Sequence, residues 1–129
     1  SRNPKDICLS IYKNSFASTD MNWSYDQKDI ANYFNLYKEL MSFWNSKYKN
    51  SIYNIEYEKL ISNKDEEIQK ILNFCNLDPD ENCFNHHKSK KTPIKTVSVI
   101  QARKPIYKNS INKSKFYQKN LSQMFGLIK

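Results

Sequence analysis

Arg2-Asn3-Pro4-Lys5-Asp6-Ile7-Cys8-Leu9-Ser10 opens the chain and governs how the rest of it is read. Pro4 has no amide proton to donate, which is tolerated in the first turn of a helix, and Asp6 places a carboxylate where the helix dipole favours negative charge. The stretch is therefore expected to turn into a helix from about Lys5, with Arg2 just ahead of it and Ser10 inside it. A guanidinium offers a planar fork of donors and a serine hydroxyl one more, which together suit phosphate oxygens. On this reading the segment is a phosphate clamp. An ordinary helix start carrying a surface arginine accounts for the same nine residues.

At 129 residues the chain has room for one domain with a real core, and its 39% hydrophobic and 14% aromatic content can fill one. Twenty-one basic against 13 acidic residues leave a net charge of +8, which favours an anionic ligand: a phosphate compound, nucleic acid or acidic lipid. Nearly all the basic residues are lysine. Arg2 and Arg103 are the two arginines, and arginine is the better bidentate phosphate ligand. Gly126 is the single glycine, so a Walker-type or dinucleotide-binding glycine loop is excluded within these residues. A chain that opens on such a clamp with no strand ahead of it is expected to be part of a longer protein.

Cys8, Cys75 and Cys83 are odd in number and form no CxxC pair, which suits buried free thiols in a reducing compartment. With His86 and His87 the two later cysteines invite a metal reading, but the spacing matches no zinc signature and no metal site is expected. The sequence shows no signal-peptide pattern and no apolar run of membrane length, so a cytoplasmic location away from membranes is expected.

Along the chain, the first helix is expected from about Lys5 to Lys13. Asn14 to Lys28 is rich in turn formers but holds Phe16, Met21, Trp23 and Tyr25, so aromatic side chains are expected to pin this loop to the core; a substrate-facing loop is the other reading. Asp29 to Tyr48 is the clearest helix, with Ile30, Tyr33, Phe34, Tyr37, Leu40, Met41, Trp44 and Tyr48 on a stripe that is expected to be core. Ile52 to Glu56 alternates and is expected to be a short strand, followed by a turn of helix. Asn63 is placed to cap a helix that opens with Asp65, Glu66 and Glu67 and buries Ile68, Ile71, Leu72 and Cys75. A short helix from Asp80 to His86 should precede the basic stretch Lys88 to Lys91. Residues 96–107 read as extended or irregular, Ser110 as the cap of a helix running past Tyr117, and Ser122 to Ile128 as a closing helix. The elements add up to a mainly α chain with one or two short strands.

Four stretches in this order resemble the C-terminal half of a PAPS-dependent sulfotransferase, most closely the bacterial type that carries tetratricopeptide repeats. Arg2-Asn3-Pro4-Lys5-Asp6 with Ser10 resembles the motif that binds the 3′-phosphate of PAPS. Ile55 to Leu60 resembles the family's strand-to-helix element, Phe74-Cys75-Asn76-Leu77 a helix ending, and Thr96 to Ser110 the late cofactor-side loop. The resemblance implies that residues 1–129 form a single partial domain, the helical C-terminal portion of an α/β P-loop-like fold with most of its parallel sheet missing. It implies that Arg2 and Ser10 grip the 3′-phosphate and that Tyr57 lies near the adenine. Ser98, Gln101 and Arg103 would line the nucleotide side, with Lys108 or Lys113 as an added cation. Where related enzymes carry a further basic residue one turn after the serine, this chain has Asn14, beside Lys13.

The family chemistry is transfer of a sulfuryl group from PAPS to a hydroxyl or amine acceptor, releasing adenosine 3′,5′-bisphosphate. The glycine-containing 5′-phosphosulfate loop and the segment that supplies the catalytic base have no counterpart in these residues, so no catalytic residue is assigned and the chain alone is expected to be inactive. Two other classes fit the composition: a basic helical nucleic-acid-binding domain using Lys88 to Lys91, Lys104 and Lys108, and a helical interaction domain whose apolar faces seek a partner or a second copy. The lack of a helix-turn-helix glycine turn, zinc finger or RNA-recognition motif argues against the first.

Overall fold

The structure is a computed structural model that describes residues 1–16, 18–85 and 110–129. It falls into two compact units, one made of Arg2–Ile52 and Ser110–Lys129, the other of Ser1 and Tyr53–Asn109. Among the described residues both are helical and neither contains a strand.

The first unit is built on α1 (Pro4–Lys13), α2 (Gln27–Lys47) and α6 (Ser122–Leu127). α1 starts one residue earlier than expected because Asn3 caps it: its side-chain oxygen accepts from the amides of Lys5 at 3.0 Å and Asp6 at 3.3 Å. Asp26 caps α2 in the same way, accepting from Lys28 and Asp29. α2 packs against both α1 and α6. Cys8 and Leu9 of α1, Ile30, Ala31 and Phe34 of α2, and Leu121, Met124 and Phe125 at α6 form the core. Asn35 fastens the end of α6, donating to the Leu127 carbonyl at 2.8 Å and accepting from the Lys129 amide at 3.0 Å.

Of the stripe on α2, Ile30 and Phe34 are core, while Tyr33 between them is exposed. Beyond Phe34 the large residues Tyr37, Leu40, Trp44 and Tyr48 are exposed, because α6 ends opposite Asn35 and leaves the second half of the longer helix uncovered. The loop after α1 does fold inward. Its 3₁₀ turn Thr19–Tyr25 holds Trp23 stacked on Tyr33 at 4.2 Å, while the Tyr25 hydroxyl accepts from the Phe16 amide and donates to the Phe16 carbonyl.

In the second unit, α3 (Tyr57–Ser62), α4 (Lys64–Phe74) and α5 (Glu81–Phe84) follow one another closely. The expected strand at Ile52 to Glu56 is extended backbone that joins no sheet; β-forming side chains cannot make a strand without a neighbour to complete the ladder. Ser1 bonds to it, its amino group donating to the Ile55 carbonyl and its carbonyl accepting from the Tyr57 amide. Asn63 precedes α4 without a side-chain capping bond. α4 buries Leu72 and Glu67, with Ile68 and Ile71 half-buried. Glu67 is held by Lys70 at 2.8 Å.

α4 ends in a Schellman motif. Asn76 adopts a left-handed conformation (φ 52°), and the Leu77 and Asn76 amides return to the Leu72 and Asn73 carbonyls. This turn carries Cys75 out of the buried face, so Cys75 is exposed, as is Cys83; of the three free thiols Cys8 alone is buried. α5 is shorter than the helix expected from Asp80 to His86, and His86 lies outside the described residues. No helix among the described residues is long and apolar enough to cross a membrane.

Candidate functional site

The clamp stretch folds against the segment that follows Ser110, and both belong to the first unit. Arg2, half-buried, directs its Nη2 to the Ser110 carbonyl at 2.6 Å. Ser10 is exposed on α1, about two turns along from Arg2 and one turn before the helix ends at Lys13. Asn14 turns its side chain back onto the Ser10 carbonyl at 2.8 Å and so serves the helix end, where a basic residue would have added charge. The neighbouring Lys13 extends over the Tyr117 ring, 5.9 Å from its centre.

Asp6 does something the sequence reading did not assign to it. It is 2% exposed, and its two carboxylate oxygens accept from the Asn112 amide at 2.6 Å and the Ser114 amide at 2.8 Å. Asn112 stands in a left-handed conformation (φ 58°) to present those donors, and Lys113–Tyr117 then winds as a 3₁₀ turn. Thus Ser110 does not cap an α-helix running past Tyr117; the Asp6 bonds set the backbone there instead. A carboxylate inside a motif that seeks an anion opposes that anion unless its charge is taken up elsewhere. That incongruity is the legible sign that Asp6 has a partner of its own.

The consequence for the site is a fixed frame. Arg2 is anchored at Ser110, and Lys113, exposed, sits between the two residues whose amides Asp6 holds. The structure therefore brings Arg2, Ser110 and the Lys113 backbone onto elements that pack on α1. Tyr57, the first residue of α3, belongs to the second unit. Ser98, Gln101, Arg103 and Lys108 lie outside the described residues.

Cys8 sits in α1 among the core residues, and burial pushes its thiol up to about 11, so at neutral pH it is protonated and no nucleophile. Among the described residues no group of His, Cys, Asp and Glu side chains is arranged to hold a metal ion. The frame holds the Arg2 guanidinium in a set position at the start of α1.

The chain matches the model of the Sulfotransferase family over residues 1–81. It is also 30% identical, over 129 aligned residues, to an uncharacterized protein of Aquifex aeolicus (strain VF5); the alignment covers 98% of this chain and 17% of that relative. The chain thus spans only a small part of the relative's length. No solved structure matches it. The matched span runs from the Arg2 clamp through α4 and takes in Arg2, Asp6, Ser10 and Tyr57, and on that match the chain belongs to the sulfotransferase family.

Proposed function

We propose that these residues are the 3′-phosphate side of a PAPS-dependent sulfotransferase, of the bacterial type associated with tetratricopeptide repeats. Arg2 and Ser10 grip the 3′-phosphate of PAPS, or of adenosine 3′,5′-bisphosphate after transfer. The observation that carries this reading is the anchored Arg2, whose guanidinium is held at the Ser110 carbonyl at the head of α1. A fork of five N–H donors can bond a carbonyl and a phosphate together, and a guanidinium already fixed loses little freedom when it binds. Lys113, exposed on the segment held by Asp6, adds positive charge by resemblance to the family. Tyr57 at the adenine and Ser98, Gln101, Arg103 and Lys108 along the nucleotide complete the site by resemblance to the family.

PAPS supplies the sulfuryl group, which passes to an acceptor hydroxyl or amine as the bond to the 5′-phosphate breaks and the acceptor proton leaves to a base. The residues of this chain bind and orient the nucleotide. With Gly126 the single glycine, they supply no glycine-containing loop around the transferring group, and no residue here is assigned as the base. In this reading both units are parts of one partial domain that binds nucleotide without turnover, and the acceptor is chosen elsewhere in the enzyme.

Calorimetric titration tests this. Adenosine 3′,5′-bisphosphate should bind and adenosine 5′-monophosphate should bind far more weakly, because the second lacks the phosphate that the clamp reads. Arg2→Ala should cost about 10- to 100-fold in affinity for the bisphosphate, the usual worth of a charge-assisted bond to phosphate. Equal binding of the two nucleotides, or an unchanged affinity in the variant, would overturn the proposal.

A further inference from the structure

α2 has two apolar faces. One, Ile30, Ala31 and Phe34, lies in the core. The other is half or more in solvent: Leu36 is 61% exposed, Leu40 50% and Phe43 49%, and Tyr33, one face of whose ring stacks on Trp23, is 54% exposed. These four stand three, four and three residues apart, the a and d positions of two consecutive heptads. A repeat of that period makes a seam that stays turned toward a partner helix, whereas a core face on a straight helix drifts around it. Extending the same register by one position at each end reaches Asp29 before the seam and Lys47 after it, both exposed. The apolar seam is thus bounded by opposite charges.

The charges say what covers the seam. In an antiparallel pair of identical helices, each a position meets a d position of the other copy. Here Tyr33 would meet Phe43, Leu36 would meet Leu40, and Asp29 would meet Lys47, every contact occurring twice under the two-fold axis. The helix dipoles would also oppose one another favourably. Parallel pairing would set Asp29 against Asp29 and Lys47 against Lys47. We infer that the exposed seam of α2 is a self-complementary surface that pairs antiparallel with α2 of a second copy of this chain. A helix of 21 residues is about 30 Å long, so the contact lies near the lower end of specific interfaces, roughly 1,200 Å², and the dimer should dissociate in the micromolar range.

Sedimentation equilibrium of the whole chain from about 1 to 200 µM, in reductant so that exposed Cys75 and Cys83 cannot cross-link copies, reads this directly. A monomer–dimer equilibrium is expected. Replacing the exposed pair by Leu36→Ser and Leu40→Ser should weaken it by about 10-fold or more while circular dichroism stays unchanged. Asp29→Lys or Lys47→Asp alone should weaken the dimer about 2- to 10-fold, and the double variant should recover the original affinity at low salt. A chain that stays monomeric to the top of this range, or a dimer indifferent to Leu36 and Leu40, would overturn the inference, the second pointing to another interface. Failure of the double charge variant to recover would overturn the antiparallel register.

Discussion

The unit built on α1, α2 and α6 and the unit built on α3, α4 and α5 are both helical, but they are held in different ways. In the first, eight buried apolar residues come from segments far apart in the chain, and the buried polar side chains Asp6 and Asn35 each bond across that same separation. In the second, the buried apolar residues among those described are Ile61 and Leu72, and the support is local: a Schellman turn after α4, and Lys70 bonded to Glu66 and Glu67 within one turn of its own helix. Helical content alone says little about which part of a small domain carries its stability. Long-range burial does, because local bonds return only a little more than the entropy of forming them.

The largest expected break in this contrast is Met124→Ala. Met124 is fully buried at the centre of the first unit, and truncation should cost about 2–5 kcal/mol, read as a shift in the denaturant midpoint. Asp6→Asn should follow at roughly 2–3 kcal/mol. It replaces one accepting oxygen by a donor facing a backbone amide, and leaves that amide buried without its partner.

Cys8 gives a smaller, pH-dependent effect. Its thiol is pushed up by burial from 9.0 to about 11, so the folded state holds the proton more tightly than the unfolded chain does. The stabilisation is complete below pH 9 and is lost as the pH rises through 11, by an amount on the order of 2 kcal/mol. Denaturant midpoints at pH 8 and pH 10.5 should therefore fall more steeply for the natural chain than for Cys8→Ala. The smallest effect belongs to the second unit. Glu66 is held below the usual carboxylate range by the bonded Lys70, so this pair stabilises above about pH 4.5 and its contribution fades as the pH falls. Both side chains are exposed, and Glu66→Gln should move the melting temperature at pH 7 by no more than about 1 °C.

α2 was readable from the sequence to within two residues at one end and one at the other, because its apolar period is long; the two residues missed at its start are those that the Asp26 cap adds. Ile30 and Phe34 of its stripe are buried as expected, but how much of the rest would be covered was not readable. A stripe records that a helix has an apolar face, not how far its neighbour reaches, and α6 is six residues long against the 21 of α2. The Ile52 to Glu56 strand failed for a related reason, since β propensity is a preference for a ladder that another strand must supply. Cys75 was misplaced because the Schellman turn at Asn76 breaks the helical period one residue after it. Within the candidate site, Arg2 and Ser10 stood out by residue type, while the long-range partner of Asp6 was hidden by its plausible local role at the helix start.

The bonds from Asp6 to Asn112 and Ser114 span 106 and 108 residues, and Arg2 reaches Ser110 over 108. During synthesis, at roughly 5–20 residues per second, the amino-terminal helices must wait several seconds before the residues that complete their core leave the ribosome. Over that interval Cys8, Leu9, Ile30 and Phe34 have no Met124 or Phe125 to close on, whereas α3 and α4 can already form from neighbours in sequence. Residues 110–129 are therefore the step that completes this core, and the core cannot close before they have been made.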